Sequence, residues 1–480
     1  MKIWNTLSGR KEEILKPEGR PLHLFVCGMT VYDYTHIGHA RTYVVFDTFV
    51  RYLRQKNWDV FYLQNVTNVD DKIIARAKEQ NKDPLKFADF FTKAYLEDMR
   101  TLGVASVDKY APASEFIPQI VKQVVTLREK GFAYEIGGDG IYFDIAKFPD
   151  YGKLSGRTAA QAEDGISRID ESVDKRNRGD FALWKFPKQA AKPNLFQNIR
   201  GFFIDSDGEP TWKTSLGWGR PGWHIEDTAI SESFFGPQYD IHGAALDLKF
   251  PHHEAEIAQQ ESASGRKPFV RVWMHAGFLT IGGQKMSKSL GNFVTIRDVL
   301  KIHSASILRW FFLSHHYRTP MDYSVENIEQ IKTIYGRMKV FFEKLEFVVK
   351  TNRASSDNAD IQKKIGGFSE SFDKAMNDDF NTPVALASVL TLASDLQEKV
   401  WNLSSEEAKA VKKSLEESLD VMGITIQTEA VPDSMRKMAA ERELCRANKQ
   451  FIQSDALRKE IGMLGYSIED TPQGPFVYKE

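Results

Sequence analysis

Two short segments of the sequence combine side chains that could bind a polyphosphate. The first, Cys27 to Arg41, contains His36, Gly38 and His39. Imidazole N–H groups donate hydrogen bonds to phosphate oxygens, and a glycine lets a ligand approach the backbone. The second, Lys285 to Ser289, follows a pair of glycines and offers two ammonium and two hydroxyl groups on a short loop. Either segment alone would also fit a helix cap or a basic surface loop, but together they indicate a nucleotide site with a mobile clamp.

The elements around the first segment predict where such a site would lie. Residues 1–21 are expected to be an irregular lead-in, and the apolar run from Leu22 to Val26 indicates a buried strand. A helical pattern follows from about Ala40 to Lys56, and Asp59 to Val66 is predicted to be the next strand of a right-handed βαβ unit. The site would then lie where a strand ends and a helix begins, which is where α/β sheets bind ligands. The polar residues 67–72 fit either a helix cap or the lining of that site.

A thiol, an imidazole and two carboxylates could converge at the same edge of the sheet. His252 and Glu256 are four residues apart and would therefore share one face of a helix. Cys27 follows the first strand, and Asp227 is expected near the end of a later strand, so both could reach that helix. Such a mixed set of donors is compatible with a zinc ion. A surface pair on a helix and a plain core cysteine are the alternatives.

The composition is that of an ordinary globular protein. The 480 residues are 42% hydrophobic and 27% charged, and this length favours about three domains. A formal net charge of -1 does not indicate a nucleic-acid partner, whose binding would need basic residues concentrated on one face. The only two cysteines, Cys27 and Cys445, predict no disulfide framework and favour a reducing cytoplasm. The polar N-terminus does not resemble a targeting segment, and no apolar run approaches membrane-spanning length.

The chain after the second segment is predicted to be mostly helical. Leu300 to Phe312 has a helical pattern, and apolar residues recur at helical spacing from Gln330 to Lys350. Asn381 and Pro383 mark the start of another helix. A charged helical stretch, Ser434 to Leu464, precedes a short tail with the alternation of strands.

The two segments also carry a family resemblance. His-Ile-Gly-His at residues 36–39 and Lys-Met-Ser-Lys-Ser at residues 285–289, in this order, resemble the signatures of class I aminoacyl-tRNA synthetases. The run from Trp223 to Asn292, with Cys27 ahead of the first signature, is similar to the cysteinyl-tRNA synthetase family. That family holds a zinc ion with two cysteines, a histidine and a glutamate. The corresponding positions in this chain are Cys27, Asp227, His252 and Glu256.

Aspartate at position 227 is a departure from that ligand set. It keeps the negative charge of a thiolate but is a harder donor, so the resemblance implies a less zinc-selective site. A thiol on zinc binds as thiolate, which would separate cysteine from serine without an editing site. Trp223 resembles the tryptophan that closes over the bound amino acid in this family, and a core aromatic is the alternative.

The resemblance implies an α/β fold in several domains. A Rossmann-type parallel-sheet catalytic domain would carry a connective insertion and be followed by an α-helical bundle and a small C-terminal module. The predicted boundaries are 1–103 for the first half of the catalytic domain, 104–212 for the insertion, 213–284 for the second half, 285–312 for the lysine loop and connector, 313–430 for the anticodon-binding helical bundle and 431–480 for the C-terminal module.

The implied activity is cysteine–tRNA ligation in two steps. L-cysteine and ATP, supplied with Mg²⁺, would form cysteinyl-adenylate and pyrophosphate, and the cysteinyl group would then move to the terminal ribose of tRNA(Cys). The resemblance implies that the catalytic residues are His36, His39, Lys285 and Lys288, that ATP is bound by His36, Gly38, His39 and Lys288, and that the substrate cysteine is bound by Cys27, Thr67 and Trp223. It also implies a monomeric, cytoplasmic protein without a membrane partner.

Two other functions remain open at this point. A cysteine ligase of the same family would join the adenylate to an amino sugar, but such enzymes lack the long anticodon-binding portion that this chain has. A non-catalytic tRNA-binding paralogue would be expected to lose signature residues, and both signatures are intact. A filter-binding test with tRNA, beside an ATP assay, separates the tRNA-binding paralogue from the enzyme.

Overall fold

A computed structural model describes most of the chain as two units. The first unit comprises Met1–His303 and Tyr317–Tyr323, and the second comprises Ser304–His316 and Ser324–Glu480. Of Lys285 only the backbone is described. The described residues are 1–157, 174–187, 201–205, 208–286, 291–351 and 359–479.

The elements of the first unit are numbered here in chain order. Its strands are β1 (Lys2–Asn5), β2 (Arg10–Glu13), β3 (Leu22–Val26), β4 (Val60–Val66), β5 (Lys109–Pro112), β6 (Ala133–Ile136), β7 (Gly140–Phe143), β8 (Phe181–Lys185), β9 (Phe202–Ile204), β10 (Pro210–Thr214), β11 (Gly217–Pro221), β12 (Tyr239–Ala245), β13 (Val270–Ala276), β14 (Leu279–Ile281), β15 (Gln284–Lys285) and β16 (Met321–Tyr323). Its α-helices are α1 (Ile37–Gln55), α2 (Asp71–Glu79), α3 (Pro84–Thr101), α4 (Ile117–Glu129), α5 (Ile225–Phe235), α6 (His252–Ser264) and α7 (Ile296–Leu300).

A parallel sheet forms the centre of the first unit. Its strand order in the described residues is β13-β12-β3-β4-β5, and all neighbours run parallel. The chain adds β4 and β5 on one side of β3 and later adds β12 and β13 on the other side. The order therefore reverses between β3 and β12, and the carboxyl ends of these two strands border the crevice where such sheets bind ligands. The predicted α/β fold with a parallel sheet is confirmed.

Local sequence explains the central βα unit. Leu22, Leu24, Phe25 and Val26 are fully buried, as expected for a central parallel strand covered on both faces. α1 begins at Ile37, earlier than the apolar pattern predicts, because the side chain of His36 caps it. The next strand lies where the sequence predicts it, and Asp83 caps the helix that begins at Pro84.

The N-terminal segment corrects the expectation of an irregular lead-in. β1 and β2 form an antiparallel hairpin in which Ile3 pairs with Glu12 and Trp4 pairs with Lys11. Asn5 fastens the hairpin beside β13, because its Oδ1 accepts from Trp273 N at 3.0 Å. The hairpin was not predicted because β2 consists of four charged residues and shows no alternation of apolar and polar residues.

An antiparallel sheet follows β5 in the chain. Its strand order is β6-β7-β8-β11-β10-β9, and it ends with β11 at Pro221. The boundary predicted at residue 212 falls inside β10, where Trp212 pairs with Gly219. Glycine and aspartate between 201 and 218 gave a loop-like composition to a stretch that forms three strands.

A small sheet, β15-β14-β16, leads into the lysine loop. β14 and β15 are joined by Gly282 and Gly283, whose φ angles of 58° and 73° lie in the left-handed region that glycine adopts without strain. Asp322 of β16 supports the turn, since its Oδ1 accepts from Gly283 N at 2.8 Å. The paired glycines therefore turn the chain toward residue 286.

The second unit is helical apart from a C-terminal hairpin. Asn381 caps α11 (Thr382–Gln397) as predicted, with its Oδ1 accepting from Val384 N at 3.3 Å. The charged helical stretch predicted from Ser434 to Leu464 consists of two helices, and the chain between them contains Lys449, which has a φ of 59°. No described helix is both long and apolar enough to cross a lipid bilayer. The elements are α8 (Ala305–Leu313), α9 (Val325–Lys350), α10 (Ala359–Asn377), α11 (Thr382–Gln397), α12 (Ser405–Val421), α13 (Asp433–Ala447), α14 (Phe451–Met463), β17 (Tyr466–Thr471) and β18 (Gly474–Lys479).

Candidate active site

A cavity of about 300 Å³ lies at the carboxyl ends of β3 and β12. Glu256 lies behind its lining and is fully buried. Lys288 and the side chain of Lys285 fall outside the residues that the structure describes. The predicted site residues that line the cavity are Cys27, His36, Gly38, His39, Thr67, Trp223, Asp227 and His252.

Two stacked imidazoles form one wall of the cavity. The rings of His36 and His39 lie 3.8 Å apart between centroids, with an interplanar angle of 28°. His36 Nδ1 accepts from Gly38 N at 3.1 Å, so the proton of its neutral ring sits on Nε2. Nδ1 of His39 is buried and has no hydrogen-bond partner in the described part of the chain. This wall offers polar ring nitrogens beside the N-terminus of α1, where anions bind favourably.

The same two histidines make the stability of the fold depend on pH. Burial lowers the pKa of His36 to about 2 and that of His39 to about 4, whereas an unfolded histidine titrates near pH ~6.5. Between these values the unfolded chain binds protons that the folded chain does not, so stability falls as pH drops below about 6.5. We expect His39→Gln to reduce that dependence by about one proton, measured by urea unfolding between pH ~4.5 and ~8. An identical pH dependence in both proteins would show that folding does not shift the pKa of His39.

Asn65 at the end of β4 organises the floor of the cavity. Its Nδ2 donates to Asp227 Oδ1, and its Oδ1 accepts from Gly28 N, both at 2.5 Å. A side chain at Gly28 would overlap the backbone oxygen of Asn65, since a Cβ there would lie 1.7 Å from it. Glycine at position 28 thus lets the chain after β3 lie against β4. Asp227 is held by one oxygen, which leaves Oδ2 directed at His252.

The four predicted metal ligands converge beneath the cavity. Ligand atoms of Cys27, Asp227, His252 and Glu256 all lie within 4.8 Å of one another, and all four side chains are buried. His252 Nε2 lies 3.0 Å from Asp227 Oδ2 and 2.9 Å from Glu256 Oε1. The prediction that His252 and Glu256 share a helix face is confirmed on α6. Asp227 corrects the expectation of a strand end, because it lies in the first turn of α5.

The electrostatics of this group favour a cation. Burial, Glu256 and Asp227 raise the pKa of the Cys27 thiol. Burial alone would lower the pKa of His252, but the carboxylates of Glu256 and Asp227 raise it to about 10. Neither oxygen of Glu256 has a hydrogen bond of good geometry within the described residues. A buried set of one sulfur, one nitrogen and two carboxylates fits a divalent metal ion in donor type and in charge.

Trp223 and Thr67 border the same group. The Trp223 indole stacks on the His252 ring with 4.5 Å between centroids and an interplanar angle of 21°. It is partly exposed and lines the cavity, so it is not a core aromatic. Thr67 donates its hydroxyl proton to Glu226, a fully buried carboxyl group whose pKa burial raises. Residue 67 therefore lines the site, and Asp70 supplies the cap of α2.

The chain that follows the lysine loop is fastened to the start of α1. Ile37 N donates to Val294 O at 3.1 Å, and Ile296 N donates to Thr35 O at 2.9 Å. On the other side of the loop, Met286 lines the cavity. The roles of Lys285 and Lys288 stay predictions, because their side chains lie outside the described residues.

Comparisons with known proteins agree with this geometry. The family model "tRNA synthetases class I (C) catalytic domain" matches residues 14–333, and the DALR domain model matches residues 371–427. The cysteine–tRNA ligase of Thermococcus onnurineus (strain NA1) is 38% identical over 487 residues, which cover 99% of this chain and 98% of that protein. The chain belongs to the cysteine–tRNA ligase family. Another member, from Coxiella burnetii (strain Dugway 5J108-111), is 40% identical over 485 residues, which cover 99% of each chain.

Solved structures outside this family share its fold. The LeuRS–tRNA–LeuAMS ternary complex of Agrobacterium radiobacter K84 superposes with a TM-score of 0.63 at 12% identity, over 85% of this chain and 84% of that one. Methionyl-tRNA synthetase of Mycobacterium tuberculosis, in complex with methionyl-adenylate, gives 0.58 at 15% identity, over 84% of this chain and 89% of that one. The architecture of the cysteine–tRNA ligase family is therefore that of class I synthetases.

Several buried polar residues of the site were missed from the sequence. Arg41 is one, because its guanidinium donates to Gly277 O at 2.8 Å and Phe278 O at 2.6 Å and so fastens the start of β14 to α1. For Asn65, His242 and His275 a usable signal was a polar residue inside an apolar strand, which must find a partner when buried. The remaining missed residues are Asn65, His224, His242, His253 and His275.

Proposed function

We propose that this chain ligates L-cysteine to tRNA(Cys) in two steps, with ATP converted to AMP and pyrophosphate. The observation that carries the proposal is a single cavity that joins two different chemistries. Its wall holds the His36–His39 pair beside a helix N-terminus, and its floor holds the buried Cys27, Asp227 and His252. The first suits a nucleotide and the second suits a thiol substrate.

In the first step, a carboxylate oxygen of cysteine attacks the α-phosphorus of ATP, and pyrophosphate leaves. The neutral imidazoles of His36 and His39 donate hydrogen bonds to phosphate oxygens as negative charge develops on them. ATP enters as its Mg²⁺ complex, and Lys285 and Lys288 are proposed to neutralise the leaving group. Gly38 leaves room for the nucleotide, because any side chain there would lie 2.9 Å from the His36 ring. Positioning and charge complementarity supply most of the acceleration.

The metal group is proposed to be a Zn²⁺ site made by Cys27, Asp227, His252 and Glu256. A zinc ion bound there would take the sulfur of the substrate as thiolate and so distinguish cysteine from serine. Cys27, Asp227 and His252 line the cavity, so these donors face the space for a substrate. Trp223, stacked on His252, is proposed to cover the bound amino acid together with Thr67. Because it has two carboxylate oxygen donors, this set is chemically harder than a ligand set in which a second thiolate takes the place of Asp227.

In the second step, a hydroxyl of the terminal ribose of tRNA attacks the carbonyl carbon of the adenylate, and AMP leaves. The helical second unit, with its DALR match at residues 371–427, is proposed to bind the tRNA. We retain as a proposal the division into two catalytic halves, an insertion, a helical bundle and a C-terminal module. We also propose that the protein is a monomer. The amino-sugar ligase is disfavoured because relatives named cysteine–tRNA ligase are matched over 99% of this chain.

ATP–pyrophosphate exchange with each amino acid in turn tests this function on protein of measured zinc content. We expect exchange with cysteine alone, in proportion to zinc, and charging of tRNA(Cys) by the same preparation. If exchange with cysteine does not depend on zinc, the metal is not needed for the recognition of cysteine. If no amino acid supports exchange but tRNA is retained on a filter, the protein binds tRNA and is not an enzyme of this kind.

Lys288→Ala should slow adenylate formation by about 100-fold, because a cation on the leaving pyrophosphate is lost in the transition state. Binding of cysteine should stay unchanged, since the proposed cysteine contacts are at other residues. Pyrophosphate exchange measured against cysteine concentration separates kcat from KM. A near-normal kcat would show that Lys288 does not act as a clamp on the leaving group. The control is Lys301→Ala, which changes a surface lysine beyond the loop and should behave as the parent protein.

A further inference from the structure

Cys27 belongs to two groups of possible metal ligands. The cavity-side set is Cys27, Asp227, His252 and Glu256, described above. The inner set is Cys27, His242, His253 and Glu256, whose ligand atoms likewise lie within 4.8 Å of one another. His242, His253 and Glu256 are 0% exposed, and none of them lines the cavity.

Both histidines of the inner set are aimed at the same sulfur. His242 Nε2 lies 3.1 Å and His253 Nε2 lies 3.3 Å from Cys27 Sγ. With a proton on each Nδ1, two nitrogen lone pairs face one thiol, which has a single proton to donate. A metal ion between these three atoms would satisfy both lone pairs and the sulfur.

The outer nitrogens of these rings are already held. His242 Nδ1 lies 2.6 Å from Tyr239 OH, and His253 Nδ1 lies 2.8 Å from His275 Nε2. His275 is fixed in turn, because its Nδ1 lies 2.8 Å from Thr6 Oγ1. Partners of this kind orient metal-binding imidazoles and set their tautomer.

Glu256 is the carboxylate that the two sets share. Its carboxylate is fully buried, and neither oxygen has a hydrogen-bond partner of good geometry in the part of the chain that is described. Oε2 lies 3.5 Å from His242 Nδ1 on the inner side, and Oε1 lies 2.9 Å from His252 Nε2 on the cavity side. On the cavity side this carboxylate is compensated by His252, and in the inner set a metal ion would take that place.

We propose that the inner set is a second metal position, occupied by Zn²⁺ when no substrate is bound. The two positions exclude each other, because both need Cys27 Sγ and Glu256. Both sets contain the Cys27 sulfur, but the inner set adds two imidazoles and one carboxylate, whereas the cavity-side set adds one imidazole and two carboxylates. Zinc prefers nitrogen and sulfur donors, so replacement of a thiolate by Asp227 favours the inner set in this chain.

An ion in the inner set differs in function from one in the cavity-side set. Its four ligands all come from the protein, and Cys27 alone among them lines the cavity. Such a closed tetrahedral site is typical of structural zinc, whereas recognition of a substrate needs an open position. The inner position therefore stores the ion without exposing it to a competing thiol.

X-ray absorption of the zinc-loaded, substrate-free protein tests this inference without ATP or tRNA, so its failure would leave the proposed ligase activity standing. We expect two imidazoles and one sulfur around zinc. Chelator competition should show at least about 10-fold weaker zinc binding in His253→Ala and in Tyr239→Phe, which removes only the hydroxyl beside His242. Asp227→Asn should bind zinc within about 3-fold of the parent, because Asp227 is not an inner ligand.

Two results would overturn the inner position. One is a single imidazole in the absorption spectrum of the parent protein, which requires no variant and is independent of folding. The other is a loss of zinc affinity in Asp227→Asn that equals or exceeds the loss in Tyr239→Phe. Either result would leave the cavity-side set as the position of the ion.

Discussion

Cys27→Ser should lower kcat/KM for cysteine-dependent pyrophosphate exchange by about 1000-fold. Cys27 is the sulfur donor of both proposed metal sets, and a serine hydroxyl does not deprotonate to bind zinc as a thiol does. Loss of a Lewis-acid contact to the substrate is worth several kcal/mol, and each 1.36 kcal/mol is about tenfold in rate. Exchange assays over a range of cysteine concentrations, with zinc content measured on the same preparations, check the prediction.

The chain offers a matched control for this variant. Cys445 lies on α13 in the second unit, outside the candidate site, and Cys445→Ser should leave both exchange and zinc content unchanged. The backbone bond from Cys27 N to Gly243 O, 3.0 Å long, does not depend on the side chain, so the join of β3 and β12 should persist in Cys27→Ser. Full exchange by Cys27→Ser without bound zinc would contradict the role of a metal in recognising the thiol.

Elements whose signals are local were predictable from the sequence. The strand from Leu22 to Val26 was predicted with its observed bounds, because a strand buried on both faces is apolar at every position. The cap at Asn381 was predicted because a proline follows it in the first helical turn. The hairpin of β1 and β2 was not predictable in this way, since Asn5 and its partners on β13 are distant in sequence.

The same difference between local signals and contacts of distant residues applies to the candidate site. His36 and His39 could be placed from their position between a strand and a helix, and His252 and Glu256 from their spacing. The inner set could not, because it depends on His242 at the centre of β12 and His253 one residue beyond the predicted ligand. Only the register of β3 against β12, which pairs His242 with Phe25 two residues before Cys27, brings these side chains together.

Asp227 shows how the surroundings of a site adjust the donor that the sequence provides. A buried aspartate with both oxygens free would be unfavourable beside Glu256, but Asn65 Nδ2 donates to Oδ1. Only Oδ2 then remains for His252, at 3.0 Å. Asn65 also donates from Nδ2 to Thr67 Oγ1 at 3.3 Å, so one side chain couples the metal group to the lining of the cavity.

His39→Ala should reduce kcat for pyrophosphate exchange by about 100- to 1000-fold with little change in KM for cysteine. The imidazole lines the cavity beside the N-terminus of α1, and its Nδ1 has no partner among the described residues. Removal of one hydrogen-bond donor to developing charge costs this much in comparable sites. Among the described residues, no hydrogen bond or ring contact joins His39 to Cys27 or His252, so cysteine binding should be unaffected. Single-turnover formation of the adenylate would measure the chemical step directly.

A conservative variant distinguishes hydrogen bonding from packing at this position. The His39 ring also stacks on His36 at 3.8 Å, so alanine removes packing as well as a donor. His39→Asn keeps an N–H donor of similar reach but not the stacked ring, and we expect it to recover at least about tenfold of the lost kcat. Equal loss in both variants would assign the effect to ring stacking, and unchanged kcat in His39→Ala would exclude this histidine from the chemistry of the α-phosphate.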